Sequence, residues 1–543
     1  MSMRINRRDF VLASAALVAM GRAVSGASPR PASAFEHGVA SGDPLPTRVI
    51  LWTRVSPPDA YTPCEVQWLV AADAALRRVV ARGSVTTSLQ QDFTAKVDVT
   101  GLAPGTPYYY QFVWQGERSP VGRTKTLPAG RVEQARLAFV SCANLPAGHF
   151  NVYGLLAQRQ DLDAVVHLGD YLYEFANGTY GDGTALRRIP APDREILSLL
   201  DYRQRHAQYK RDPDLQAVHR QHAFVCVWDD HEVANDAWKD GAANHNPDEG
   251  EGQWYLRKRA AIRAYFEWMP IRERGPREDA QIFRALPFGD LADLLMLDTR
   301  LYGRDQQSTV EPISDAAGYP ADDPIINDAR RTLLGFDQED WLYRQLVASR
   351  QRGTPWRLLG QQVMMAQLSP TRGQSLANLD QWDGYRPART RLFDTLRDND
   401  VDNVVVMTGD AHTSWAQDLT PDPWGPTRLY NPRTGQGVLG VEFVAPAVTS
   451  PGVEDPVEAA ATAAALRADS PHLKYVELTR RGYGVLDVTR ERVQGEIWHV
   501  EAIDRPTRSE QLAAAYVTVA GSAGLTPAAG ASAPRALPAD PAP

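Results

Sequence analysis

The chain is poor in cysteine: Cys64, Cys142 and Cys226 are the three it has in 543 residues. An odd, low count excludes a disulfide-stapled scaffold and a four-cysteine zinc module, so each thiol needs its own explanation. A basic excess is missing too, with 58 Lys+Arg against 66 Asp+Glu and a formal net charge of −8. Nucleic-acid binders normally carry a basic surplus, so no specific nucleic-acid binding is expected. No stretch of the sequence approaches the roughly 18 uncharged apolar residues of a spanning helix, so no transmembrane anchor is expected. What remains is ordinary globular composition, 43% hydrophobic and 23% charged. At about 150 residues per domain, the length gives three to four domains, or two with one large.

The first residues read as an address. Asn6-Arg7-Arg8-Asp9-Phe10-Val11-Leu12 precedes an apolar run to Met20, and Pro31-Ala32-Ser33-Ala34 follows. A paired arginine, a short apolar core of about eleven residues and an Ala-x-Ala site describe a twin-arginine export signal over residues 1–34. The expected partner is the twin-arginine export machinery, and the expected location is periplasmic or secreted. That route carries folded proteins, often already loaded with a metal or cofactor, which raises the prior for a metalloprotein.

Residues 35–130 read as all-β. Val49 to Val55 is a β-branched and aromatic strand, and in Glu65 to Val70 the residues Val66, Trp68 and Val70 share one face. Tyr108 to Trp114 follows a turn built from Pro104, Gly105 and Pro107. Short strands at this spacing predict a small immunoglobulin- or fibronectin-like sandwich, ending at the linker Leu127-Pro128-Ala129-Gly130. From 131 to 510, continuous apolar strands alternate with helical stretches, which predicts an α/β core with helices on both faces. Residues 511–543 are rich in Ala and Pro and read as a tail, its last part disordered.

Potential metal ligands recur at the ends of the apolar strands. Ser141-Cys142-Ala143-Asn144 ends the first, and Gly169-Asp170-Tyr171-Leu172-Tyr173-Glu174 the second. Asp229-Asp230-His231-Glu232 ends the third, with Asn235 soon after; Asp298-Thr299-Arg300 and Gly409-Asp410-Ala411-His412 end two more. In open α/β sheets, ligands gather at the carboxyl ends of strands. Converging carboxylates repel one another unless a cation is present, so a metal cluster is the natural expectation. Thiolate and phenolate favour trivalent iron, whereas carboxylate and amide oxygens suit calcium or manganese. Cys226 reads as core, Cys64 as structural, and His167 as a satisfied structural histidine.

At these residues the sequence resembles the PhoD-like alkaline phosphatases, relatives of the purple acid phosphatases and the wider metallophosphoesterases. The resemblance spans nearly the whole chain, from Phe35-Glu36-His37-Gly38 to Gly409-Asp410-Ala411-His412. It implies a small β sandwich before a metallophosphoesterase-type αββα sandwich, with an Fe3+ and Ca2+ centre. By resemblance Asp170 is the bridging aspartate, Tyr173 the iron-binding tyrosine and Cys142 a further iron ligand. Asp230, Asp410, His412 and Asn235 complete the implied ligand set, and oxygen-rich ligation fits calcium. A histidine that the superfamily carries has Leu359-Gly360-Gln361-Gln362 as its nearest counterpart.

The implied chemistry is hydrolysis of phosphate mono- or diesters by a metal-bound water or hydroxide, releasing phosphate. Asp170, His231 and Arg300 are the expected catalytic residues. His231 bonds the phosphate or protonates the leaving group, and Arg300 either clamps phosphoryl oxygens or serves as a structural ion pair. The competing reading is an exported binding protein with structural metals that recognises a surface polymer or glycan. Ligands gathered at strand ends argue against it, because structural metal sites are normally closed.

Overall fold

A computed structural model of the chain describes residues 33–543 apart from 275–280, 315, 427–428 and 536–538. All but the last two residues of the expected export signal lie outside the described residues. The fold is mixed α/β, built on two large mixed sheets. The first has ten strands, in the order Ser522–Pro527, Glu510–Val519, Arg492–Val500, Gly482–Thr489, Gln134–Val140, Ala164–His167, Ala223–Cys226, Val39–Leu45, Arg48–Arg54 and Thr94–Thr100. The second has seven: Arg284–Phe288, Ala292–Met296, Trp356–Gln361, Val404–Thr408, Gly440–Val444, Ser414–Leu419 and Leu473–Glu477.

Strand alternation divides the core. Leu294, Met296, Leu358, Val405, Met407, Val441 and Phe443 of the second sheet join one hydrophobic cluster with Leu137, Phe139, Val165, Leu168 and Val485 of the first. The intervening Leu295, Leu359, Val404 and Val406 face a separate cluster with Leu342 and Leu346 of helix Phe336–Gln351 and Leu392 and Phe393 of helix Arg386–Asp398. Successive side chains on a strand point to opposite faces, so both faces of this sheet are buried and its strands read as unbroken apolar runs. Each fully buried Leu or Val contributes about 1.5–3 kcal/mol.

The N-terminal β region is less separate than its sequence suggests. Val39–Leu45 pairs in parallel with Ala223–Cys226 of the first sheet, Ser41 opposite Ala223. Gly42 permits that approach: a Cβ there would lie 2.4 Å from the Pro270 carbonyl oxygen and 2.7 Å from that of Phe224. The strands Cys64–Ala71, Val79–Thr87, Pro107–Trp114, Glu117–Arg118 and Gly122–Lys125 form their own sheet. Its Val66, Val70, Tyr110 and Phe112 share a core with Val49, Leu51 and Val99 of the large sheet. Cys64 lies in that core and Cys226 in the main one, both buried.

The C-terminal tail, expected to end in disorder, is instead tied down. Glu510–Val519 and Ser522–Pro527 complete the edge of the ten-stranded sheet. Beyond them the Ser532 backbone N–H donates to Glu496 at 2.7 Å, Arg535 pairs with Asp163 at 2.8 Å, and Ala542 exchanges bonds with the Gln221 carboxamide at 3.0 and 3.1 Å. Alanine and proline made this segment read as low-complexity, but buried Glu496 and Asp163 give it anchors. Truncation after Pro527 strips buried charges of partners and is expected to cost about 2–4 kcal/mol. Calorimetry checks it; an unchanged unfolding midpoint would show that these contacts add nothing.

Candidate metal centre

The strand ends predicted to carry ligands meet where the two sheets face each other. The parallel strands Gln134–Val140, Ala164–His167 and Ala223–Cys226 deliver Cys142, Asp170 and the Asp229-Asp230-His231 run from one sheet. The parallel strands Ala292–Met296, Trp356–Gln361 and Val404–Thr408 deliver Arg300, Gln361 and the Asp410–His412 turn from the other. Four of these residues leave their strands in the left-handed region: Cys142 at φ 62°, Asp170 at 54°, Asp410 at 59° and His412 at 58°. Such backbone costs about 1–3 kcal/mol per residue and persists only where the surroundings hold it. At Asp170 the Glu232 carboxylate does the holding, accepting from the N–H groups of Asp170 (3.0 Å), Tyr171 (2.7 Å) and Asp229 (2.8 Å). Gly169, at φ 111°, is fixed by crowding: a Cβ would lie 2.4 Å from Asp229 Cβ.

Three sets of side chains bring one ligand atom each to within 4.8 Å of one another: Cys142, Asp170 and His412; Asp170, Asp230 and His231; and Asp229, Asp230 and Asp410. Asp170 belongs to the first two and Asp230 to the last two, so the sets form a chain. Tyr173 lies against the first: its hydroxyl donates to Asp170 Oδ2 at 2.7 Å, lies 3.2 Å from His412 Nε2 and accepts from Ser450 at 2.7 Å. Asn235 is held beside the second, its peptide N–H donating to Glu174 at 2.7 Å. The cluster reaches solvent at Asp410, His412 and Asp380, whose side chains are 17%, 16% and 15% exposed.

The donor set fits a cation. Asp170 Oδ1, Asp229 Oδ2 and Asp230 Oδ1 are buried with no hydrogen-bond partner among the described residues. Burial and neighbouring carboxylates push Asp229 well above the ordinary range, raise Asp230, and lift Asp410 to about 6 against the pull of Arg300. Burial and the Asp170 charge push the Cys142 thiol well up. For Asp170, burial opposes ionisation, but His231, His412 and Tyr173 hold its carboxyl below the usual range. A bound cation relieves the repulsion and the orphaned oxygens together.

Arg300 differs from a free phosphate clamp. Its side chain is fully buried, with Nε at 2.5 Å from Asp229, Nη1 at 2.8 Å from Asp380 and Nη2 at 2.6 Å from Asp410. All three nitrogens are spent on carboxylates, because those carboxylates need a countercharge. His231 bonds Glu174 through Nδ1 at 2.8 Å and packs on Tyr173 with ring centres 4.2 Å apart. Burial would lower its pKa, but Asp230, Glu174 and Asp170 raise it well above the ordinary value. Gln361 and Gln362, nearest to the superfamily's remaining histidine, brace strands instead: Gln361 donates to Val363 and Thr408 at 2.6 and 2.7 Å, and Gln362 accepts from Thr299 at 2.6 Å. His167 bonds Tyr153 at 2.9 Å.

Sequence reasoning passed over Asp229, Glu174, Glu232, Asp380, Tyr180 and Ser450. The first three stand inside quoted motifs, where a run of acidic residues was a usable signal. Asp380, Tyr180 and Ser450 lie outside helices and strands and carry no periodic pattern.

Removing cations has a signed pH consequence. Burial and neighbouring carboxylates push Glu232 to about 8 and Asp236 to about 7. In the unfolded chain both have lost their protons above about pH 4.5. Between about pH 6 and 8 the native, cation-stripped protein therefore holds more protons than the unfolded one, and its stability falls as pH rises. Buried Lys210, lowered to about 7, acts the opposite way but is common to loaded and stripped protein. The gap in unfolding midpoint between loaded and chelator-stripped protein is expected to widen from pH 6 to 8. A constant gap would remove the cation from this site.

Comparison with known proteins agrees with this geometry. The family model described as PhoD-like phosphatase matches residues 137–497, and that of the PhoD-like phosphatase N-terminal domain matches residues 21–128. Alkaline phosphatase D of Bacillus subtilis (strain 168) is 35% identical over 508 residues, covering 90% of this chain and 82% of the relative. A solved structure titled "Structure of PhoD" superposes with a TM-score of 0.82 at 33% identity, covering 93% of this chain and 94% of that one. Ligand-bearing strand ends, fold and sequence thus converge, and the chain belongs to the PhoD-like phosphatase family as a hydrolase of phosphoric esters.

Proposed function

We propose that the chain is an exported, metal-dependent phosphoesterase acting on phosphate mono- or diesters. The observation that carries this is the linkage of three ligand sets through Asp170 and Asp230. In this reading the two facing sheets are a metallophosphoesterase αββα sandwich, the N-terminal strands an immunoglobulin-like addition, and residues 1–34 a twin-arginine signal. Cys142, Asp170, Tyr173 and His412 would hold Fe3+, since thiolate and phenolate suit it; Asp229, Asp230, Asp410 and Asn235 would hold Ca2+. When bound, such cations supply charge neutralisation of the phosphoryl group and acidify a water.

The chain's own residues do the rest. With Nδ1 committed to Glu174, His231 keeps Nε2 for the substrate, where the Glu174 carboxylate favours the protonated ring that donates to the leaving oxygen. Arg300 is a positioning residue that fixes the Asp229 and Asp410 carboxylates. Asp170→Asn is expected to lower turnover of p-nitrophenyl phosphate and its bis ester by at least about 100-fold and to lower metal content by elemental analysis. An active, metal-replete variant would falsify the assignment. Glu174→Gln removes a charge that raises the His231 pKa. It is expected to cost about 10- to 100-fold in kcat/KM and to move the alkaline limb of the rate profile to lower pH. An unmoved limb would remove Glu174 from this role.

A further inference from the structure

Arg481 is an arginine near the centre that the preceding roles leave unused. It stands between the strands Leu473–Glu477 and Gly482–Thr489. Gly452 abuts it and the His412 turn at once: a Cβ there would lie 3.3 Å from Arg481 Nη1 and 3.3 Å from the His412 carbonyl oxygen. On the other side of that turn, Tyr180 bonds His412 Nδ1 at 2.8 Å and lies parallel to His231 with ring centres 6.1 Å apart. Arg481 therefore lies beside the turn that carries His412.

Its donors are barely committed. Nη1 donates to the Thr479 carbonyl of its own turn, while Nε is buried with no partner. Among the described residues it has no ion pair. Glu477, a carboxylate whose charge acts on it, is spent on the N–H groups of Thr479 and Arg480 at 2.9 and 2.7 Å and on the Thr479 hydroxyl. Leaving a largely buried guanidinium without an anion is costly, and the fork of an arginine matches a phosphate oxygen pair. Arg300 shows the contrast, with its three nitrogens all on carboxylates. A phosphate ester approaching the partly exposed Asp380 and Asp410 carboxylates meets negative charge, which a nearby cationic donor offsets.

We propose that Arg481 binds the anionic oxygens of the substrate phosphate group, and of the phosphate product, from the His412–Tyr180 side of the cleft. This rests on the metal-centre reading of the same site. The test uses full-length, metal-loaded protein carrying Arg481→Gln or Arg481→Lys, with p-nitrophenyl phosphate as substrate and inorganic phosphate as competitive inhibitor. Arg481→Gln is expected to raise KM and the phosphate inhibition constant together by at least about 10-fold, with kcat changed less and metal content intact. Arg481→Lys restores the charge without the fork, and its inhibition constant is expected between those of wild type and Gln. An unchanged inhibition constant in either variant overturns the proposal, as does a rise matched by loss of metal. Should Arg481→Gln not fold, the Lys variant decides alone: its inhibition constant rises severalfold or the proposal fails. Wild-type turnover that is indifferent to chelator would instead sink the metal-centre reading.

Discussion

Crowding of like charge governs this molecule. Asp170, Asp229, Asp230, Asp380 and Asp410 are gathered where the two sheets meet, and Arg300 is buried among four of them. With Arg304 also on Asp380, two guanidinium groups do not neutralise five carboxylates, and the oxygens of Asp170, Asp229 and Asp230 that accept no hydrogen bond mark what is left over. Much nearby structure is subordinate to keeping those charges together. Glu232 clamps three peptide N–H groups, left-handed turns aim the side chains, and Gly169 gives up a side chain so that the Asp229 backbone can approach.

Donor chemistry changes along the cluster. Thiol, phenol and imidazole gather around Asp170, whereas the set joining Asp230 to Asp229 and Asp410 is carboxylate alone. Because Asp170 and Asp230 each belong to two ligand sets, the charge state of one end is felt at the other. Occupying the sulfur-bearing end withdraws negative charge from its neighbour, so selectivity and affinity are properties of the chain of ligands as a whole.

The parts of this arrangement that were legible in the sequence are those encoded locally. An apolar strand followed by Asp or Cys is a pattern within ten residues, and it located Cys142, Asp170, Asp230, Asp410 and His412 without any tertiary information. What was hidden depends on contacts distant in sequence. Arg300 stayed open between a phosphate clamp and a structural ion pair because Asp380 and Asp410, 80 and 110 residues away, were not visible as its partners. Composition suggested disorder for the C-terminal segment, yet buried charges on remote strands hold it. The β region looked separate because nothing local shows that Ser41 lies beside Ala223.

The Gly482–Thr489 strand sets an order of events. It occupies the interior of the ten-stranded sheet, Gly484 opposite Phe139, and the Cys142 carbonyl accepts from the Ser450 hydroxyl at 2.8 Å. Neither contact can form until the last fifth of the polypeptide has left the ribosome. The early strands must wait as unpaired, sticky edges, a topology that folds slowly.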